Sequence, residues 1–201
     1  MMNIGFLASH RGSNMQSVVE ACRDGVLPAN PAVLICNNRQ AEVVSRAEQQ
    51  GIPAYVLNAK THADPDELDR VMLDALKRHK CDVIVLAGFM KKIGPRVLEA
   101  FGGRIMNIHP SLLPKHGGQG MYGRRVHEAV LAAGDTVTGI SIHLVNGEYD
   151  EGRVLAQCEV PVFSHDTVET LAARVLGREH TFLVETLCEI VGGRIELGCR
   201  N

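Results

Sequence analysis

The chain contains no tryptophan, and aromatic residues make up only 4% of its 201 positions, so its core must be built from aliphatic side chains. No apolar run approaches the roughly 20 residues that a bilayer span requires, and no membrane association is expected. Residues 3–8 are apolar but short, with no basic region ahead of them, so no secretory leader is expected. The formal net charge is −2 and no dense basic block occurs, which argues against a nucleic-acid surface. The six cysteines, Cys22, Cys36, Cys81, Cys158, Cys188 and Cys199, include no C-x-x-C pair, and several sit inside apolar runs. They read as reduced thiols of a cytoplasmic protein. The nine histidines are scattered without an H-x-x-x-H pair, so no metal is expected. There is no G-x-S-x-G elbow and no cysteine beside a histidine, hence no covalent nucleophile. Any group transfer should run directly from a bound donor to a bound acceptor.

What is present is a regular alternation of strand and helix patterns. Strands are expected at residues 3–9, 32–36, 54–57, 82–87 and 104–108. Helices are expected at 15–23, 41–50, 64–79 and 94–100, the third opened by Asp64-Pro65 as cap and first-turn proline. The fully apolar runs are those of parallel strands buried on both faces. A glycine-rich loop at 117–123 then leads into a helix at 124–133. Two β-type runs, 136–145 and 153–162, flank an acidic loop. Asp166-Thr167 caps a long helix to residue 191, and the last ten residues read as a short strand or tail. The fold class is α/β, a doubly wound, mostly parallel, Rossmann-like sheet with late antiparallel strands and a long C-terminal helix. With 45% hydrophobic residues and no linker-like tract, residues 1–201 read as a single domain.

Ligands of such sheets bind beyond the carboxyl ends of the strands. The strand ends here carry Ser9 to Asn14, Asn37-Asn38, Gly88 to Ile93 and Asn107 to Ser111. In the first, Gly12-Ser13-Asn14 opens a helix, where free backbone N–H groups and two polar side chains suit an anion. An ordinary capped turn would look the same. Gly88-Phe89-Met90-Lys91-Lys92-Ile93 would suit a flat heteroaromatic ligand, or a turn with two solvated lysines. The most informative stretch is Asn107-Ile108-His109-Pro110-Ser111-Leu112-Leu113-Pro114. Asn107 and His109, two apart on a strand, face the same way. An amide donor beside an imidazole can hold a developing oxyanion and manage one proton, which suits acyl transfer. Asn146-Gly147-Glu148-Tyr149-Asp150 lies between the late strands, and a carboxylate there could reach His109 and keep it protonated. His143 reads as structural.

The stretch from Asn107 to Pro114 resembles the signature of folate-dependent formyltransferases. Leu86-Ala87-Gly88-Phe89-Met90 is similar to the folate-side strand end of that family. The Gly12-Ser13-Asn14 turn narrows the likeness to the branch that formylates glycinamide ribonucleotide during purine synthesis. The resemblance implies 10-formyltetrahydrofolate as co-substrate and Asn107, His109 and Asp150 as the catalytic trio. It implies that Gly12, Ser13 and Asn14 hold the acceptor phosphate and that Glu179 helps hold the nucleotide. Met90, Lys91, Lys92 and Ile93, with Asn107 and the loop Asn146, Gly147, Glu148 and Tyr149, would line the folate site. The phosphate side would occupy about 1–100, and the catalytic and folate side about 101–191. Partners would be these small molecules, with no nucleic acid and no membrane; a homodimer is compatible with the likeness. Alternatives at this point are an acceptor amine on a nucleotide sugar or an aminoacyl-tRNA, hydrolysis of the formylfolate, and a non-catalytic folate- or nucleotide-binding module. The chain departs from many relatives in carrying Lys91 and Pro65 where they have arginine; Lys91 keeps the charge but not the forked contact, and at Pro65 Lys60 or His62 would have to substitute. Residues 115–127 are also longer than in some of them.

Overall fold

The computed structural model describes residues 1–198; Cys199 lies outside them. The elements, in chain order, are β1 (Met2–Ala8), α1 (Ser13–Arg23), β2 (Ala29–Cys36), α2 (Glu42–Gln49), β3 (Ala54–Val56), α3 (Pro65–Arg78), β4 (Val83–Leu86) and α4 (Pro95–Ala100). There follow β5 (Ile105–His109), α5 (Arg124–Ala132), β6 (Val137–Leu144), β7 (Val154–Pro161) and α6 (Val168–Val191). The expected elements are all present, most with their ends moved by a few residues. The exception is the tail, where residues 192–198 form turns and no strand.

The strands make one seven-stranded sheet in the order β3-β2-β1-β4-β5-β6-β7. Pairings from β3 through β5 are parallel, whereas β6 and β7 run antiparallel. Alternation within the central strands divides the core between the two sheet faces. Ile4, Phe6 and Ala8 of β1, with Val83 and Val85 of β4, pack with Val18 of α1 and with Leu183 and Leu187 of α6. Leu7, Ile84 and Leu86 point the other way, against Met72 and Leu76 of α3 and Val97 of α4. Strand order reverses direction between β1 and β4, the position at which doubly wound sheets open a crevice. The two strand ends are stitched there by the Ser9 N–H to the Gly88 carbonyl (3.2 Å) and the Met90 N–H to the Ser9 hydroxyl (2.9 Å).

The helix ends follow their expected chemistry. Asp64 accepts from the Asp66 N–H at the start of α3, where Pro65 gives up no needed donor. Thr167 and Thr170 form a reciprocal capping box at α6. Among the described residues no helix is long and apolar enough to cross a membrane. Cys36 and Cys81 are buried, Cys22, Cys158 and Cys188 are half-buried, and all five are free thiols.

Candidate active site

The parallel β4 and the antiparallel β6 flank β5, so the carboxyl end of β5 meets residues from both directions of the chain. Register places Asn107 opposite His143 and His109 opposite Ser141. His143, expected to be structural, stands within the same group of side chains. Its Nε2 lies 3.1 Å from Asn107 Nδ2 and 3.3 Å from Asp150 Oδ1. Its Nδ1 lies 2.9 Å from the Leu144 carbonyl, an acceptor only, so Nδ1 carries a proton. In the neutral ring Nε2 then accepts from Asn107; in the charged ring it donates to Asp150. His109 completes the group, with Nδ1 3.5 Å from Asp150 Oδ2.

Asp150 is thus the centre on which His109, His143 and, through His143, Asn107 converge. Its backbone lies in the left-handed region, φ 60°, which suits few residues without a β-hydrogen-bonding side chain. The glycine-rich segment after β5 holds both members of the His109–Asp150 pair. Gly118 N–H donates to Asp150 Oδ2 at 3.0 Å, and His109 Nε2–H donates to the His116 carbonyl at 2.9 Å. That second bond fixes the tautomer. With its proton on Nε2, a neutral His109 presents a bare Nδ1 to Asp150.

Burial works against the expectation that Asp150 keeps His109 protonated. Burial pushes the His109 pKa below its ordinary 6.5, although the Asp150 charge and the His116 carbonyl oppose the shift. The physical reason is that His109 is only 3% exposed and has other imidazoles, His143 and His116, nearby. Burial raises the Asp150 carboxyl, but the His143 contact, the His109 charge and the Gly118 N–H outweigh it, and the pKa falls below the usual value.

Beside this group lies a cavity of about 80 Å³. Seven of the residues expected on the folate side line it: Lys91, Lys92, Ile93, Asn107, Gly147, Glu148 and Tyr149, together with His143 and Asp150. Lys92 Nζ stands 5.0 Å above the Tyr149 ring. Met90 and Asn146 are outside the lining: Met90 is exposed, and the Asn146 side chain accepts from the Glu148 N–H. A larger cavity, about 340 Å³, opens between the start of α3 and the Gly94-Pro95 turn and shares Lys92 with the first. Pro65 lines it, whereas neither Lys60 nor His62 does. Arg96, the guanidinium near this position, is tied to Asp66 at 2.8 Å.

The β1 end forms a second centre. Gly12 caps α1 at φ 67°, and an added Cβ would lie 2.1 Å from Val43 Cγ2, so only glycine fits. No side chain caps this helix start, and its first N–H groups stay available to an anion. The Ser13 hydroxyl has no partner among the described residues. Asn14 Nδ2 donates to Glu179 Oε2 of α6 at 3.0 Å, across 165 positions of sequence, so two of the residues expected to hold the acceptor are brought together. Glu179 is 8% exposed, and burial pushes its pKa up to about 7 despite the Asn14 bond. Asn14 Oδ1 is buried without a partner. Among the described residues no group of three His, Cys, Asp or Glu side chains is placed to hold a metal ion.

Comparison with known proteins places this geometry in context. A formyl transferase family model matches residues 2–187. The chain is similar to the chloroplastic phosphoribosylglycinamide formyltransferase of Arabidopsis thaliana, 40% identical over 96% of this chain and 66% of that protein, so it spans about two thirds of that relative's length. It is similar to the phosphoribosylglycinamide formyltransferase of Haemophilus influenzae, 37% identical over 98% of this chain and 91% of that one. Among solved structures, glycinamide ribonucleotide transformylase 1 of Symbiobacterium toebii superposes with a TM-score of 0.90 at 34% identity, covering 100% of this chain and 92% of that one.

Proposed function

The chain belongs to the formyl transferase family, and from that premise we propose that it transfers the formyl group of 10-formyltetrahydrofolate to the amine of glycinamide ribonucleotide, a step of purine synthesis. The observation that carries this reading is the convergence of Asn107, His109 and His143 on Asp150 beside a cavity lined by Lys91, Lys92 and Tyr149.

In this reading the folate occupies the cavity, with its formyl carbon near Asn107. The acceptor phosphate binds the uncapped start of α1 and the Ser13 hydroxyl, and Glu179, held by Asn14, takes the glycinamide end. The amine attacks the formyl carbon and the carbonyl oxygen becomes negative. Asn107 has two N–H groups, one engaged by His143; the other donates to that oxyanion. His109 begins neutral, so its Nδ1 accepts the proton that the attacking nitrogen must lose. The imidazolium so formed faces Asp150, which stabilises it until the proton passes to N10 of the departing folate. The His109 Nε2–H stays on the His116 carbonyl throughout, which keeps the ring in one orientation.

The test is direct. The protein is mixed with 10-formyltetrahydrofolate and glycinamide ribonucleotide, and tetrahydrofolate release is followed. Turnover that depends on the ribonucleotide supports the reading. Release at the same rate without the amine would make the protein a hydrolase, and no release at all would make it a binding module.

A further inference from the structure

His109 takes its orientation from the His116 carbonyl, so whatever holds His116 also acts on His109. The His116 backbone lies in the left-handed region, φ 55°, a conformation histidine rarely adopts. The chain on either side is tied down: Ser111 Oγ donates to the Lys115 carbonyl at 2.6 Å, and Gly118 N–H donates to Asp150. Neither bond fixes the direction of the His116 carbonyl itself. The His116 side chain is anchored as well, its Nε2 2.7 Å from Asp135 Oδ2. Asp135 stands in the turn after α5, its side chain 11% exposed, and it also takes the Lys115 ammonium. One carboxylate therefore grips two consecutive side chains and holds the backbone between them in its unfavourable form.

We propose that Asp135 is a positioning residue for His109, acting through the backbone carbonyl of His116. The chain of contacts runs from Asp135 to the His116 ring, along the His116 backbone to its carbonyl, and on to His109 Nε2. If Asp135 is removed, His116 relaxes to negative φ and its carbonyl swings away. His109 loses the acceptor that keeps its proton on Nε2, and Nδ1 is no longer reserved for the reacting proton. The catalytic consequence rests on the proposed transfer; the orientation of His109 does not.

The proposal makes a specific prediction of rescue. Glycine enters the left-handed region without penalty, so a glycine at 116 needs no anchor. Ring-nitrogen NMR on the full chain reads the tautomer of His109, whose signals are identified by their loss in His109→Gln. The unsubstituted chain should show one Nε2–H form at neutral pH. Asp135→Ala should show a mixture of both tautomers, and Asp135→Ala/His116→Gly should return to the single Nε2–H form. Turnover should follow, with kcat about tenfold lower in Asp135→Ala, KM within about twofold, and kcat largely restored in the double variant. Asp135→Asn keeps an oxygen for His116 and gives a milder version of the same result should the alanine variant fold poorly. An unchanged His109 tautomer in folded Asp135→Ala or Asp135→Asn overturns the proposal, as does a folded double variant that stays mixed. Absence of turnover in every variant, with the tautomer changes intact, would instead count against the proposed transfer alone.

Discussion

Replacing Glu179 by glutamine should make the protein more stable in mild alkali and leave it unchanged in acid. Glu179 is buried against Asn14, and its pKa rises from 4.5 to about 7. A carboxyl whose folded pKa is raised binds more protons in the folded state than in the unfolded chain. Folding stability therefore falls as pH climbs from 4.5 towards 7 and levels off above that window. At about 1.4 kcal/mol per pH unit, the gap amounts to about 3 kcal/mol by pH 8, and to less than about 1 kcal/mol at pH 5. Glutamine is neutral throughout and keeps an oxygen to accept from Asn14 Nδ2. Its NH2 is also a donor for Asn14 Oδ1, which now has no partner. Urea unfolding should therefore find Glu179→Gln about 2–3 kcal/mol more stable at pH 8, corresponding to a melting temperature about 4–12 °C higher for a chain of this size. At pH 4 the two proteins should unfold together. Equal stability at pH 8, or the same difference at both pH values, refutes the argument, since either means that the charge of Glu179 is not what the fold resists. In the proposed reaction the same substitution weakens acceptor binding, so stability and affinity move in opposite directions.

Asn107→Ala removes one preorganised donor and should lower kcat by about 10²–10³-fold with little change in KM; steady-state kinetics at saturating folate check it. Gly12→Ala drives a Cβ to within 2.1 Å of Val43 Cγ2, and calorimetric titration should show the acceptor bound at least tenfold more weakly, with folate binding retained. If His109 works as the proposed neutral base, its lowered pKa means that kcat/KM should be flat at neutral pH and fall only on the acid side of 6.5. Asp150→Asn removes the charge that opposes the shift and should move this acid limb lower still, beneath a much reduced plateau. A limb displaced upward would contradict the electrostatics described for the pair.

Element order could be read from the chain because each apolar strand ends in polar or glycine residues and two of the helix starts carry recognisable caps, Asp64 and Thr167. Asn107 and His109 stood out for the same reason, being polar residues that close an apolar strand. His143 did not, since it lies inside an apolar run and gains its role only from the antiparallel register that sets it opposite Asn107. The signal that could have found it is the pairing of two histidine-bearing strands around one acidic loop. The bond of Asn14 to Glu179 was not legible because its partner is 165 positions away. The charge of His109 depends on a contest between burial and Asp150, which residue order does not contain. Met90, within a recognisable motif, is exposed and outside the cavity lining.

The bond between Asn14 and Glu179 has a consequence for synthesis. α6 is the last helix among the described residues, and it supplies Glu179 as well as Leu183 and Leu187 beneath β1. A nascent chain that has made β1 through β7 can already pair its strands, but one face of the sheet still lacks its cover. The acceptor site proposed above then has Asn14 and no carboxylate. Closing a loop this long carries an entropic cost that grows only slowly with length, so docking of α6 can wait for translation without a large penalty. During that wait the uncovered apolar face is the surface a chaperone would meet, and the proposed acceptor site is completed by the same docking that covers the core.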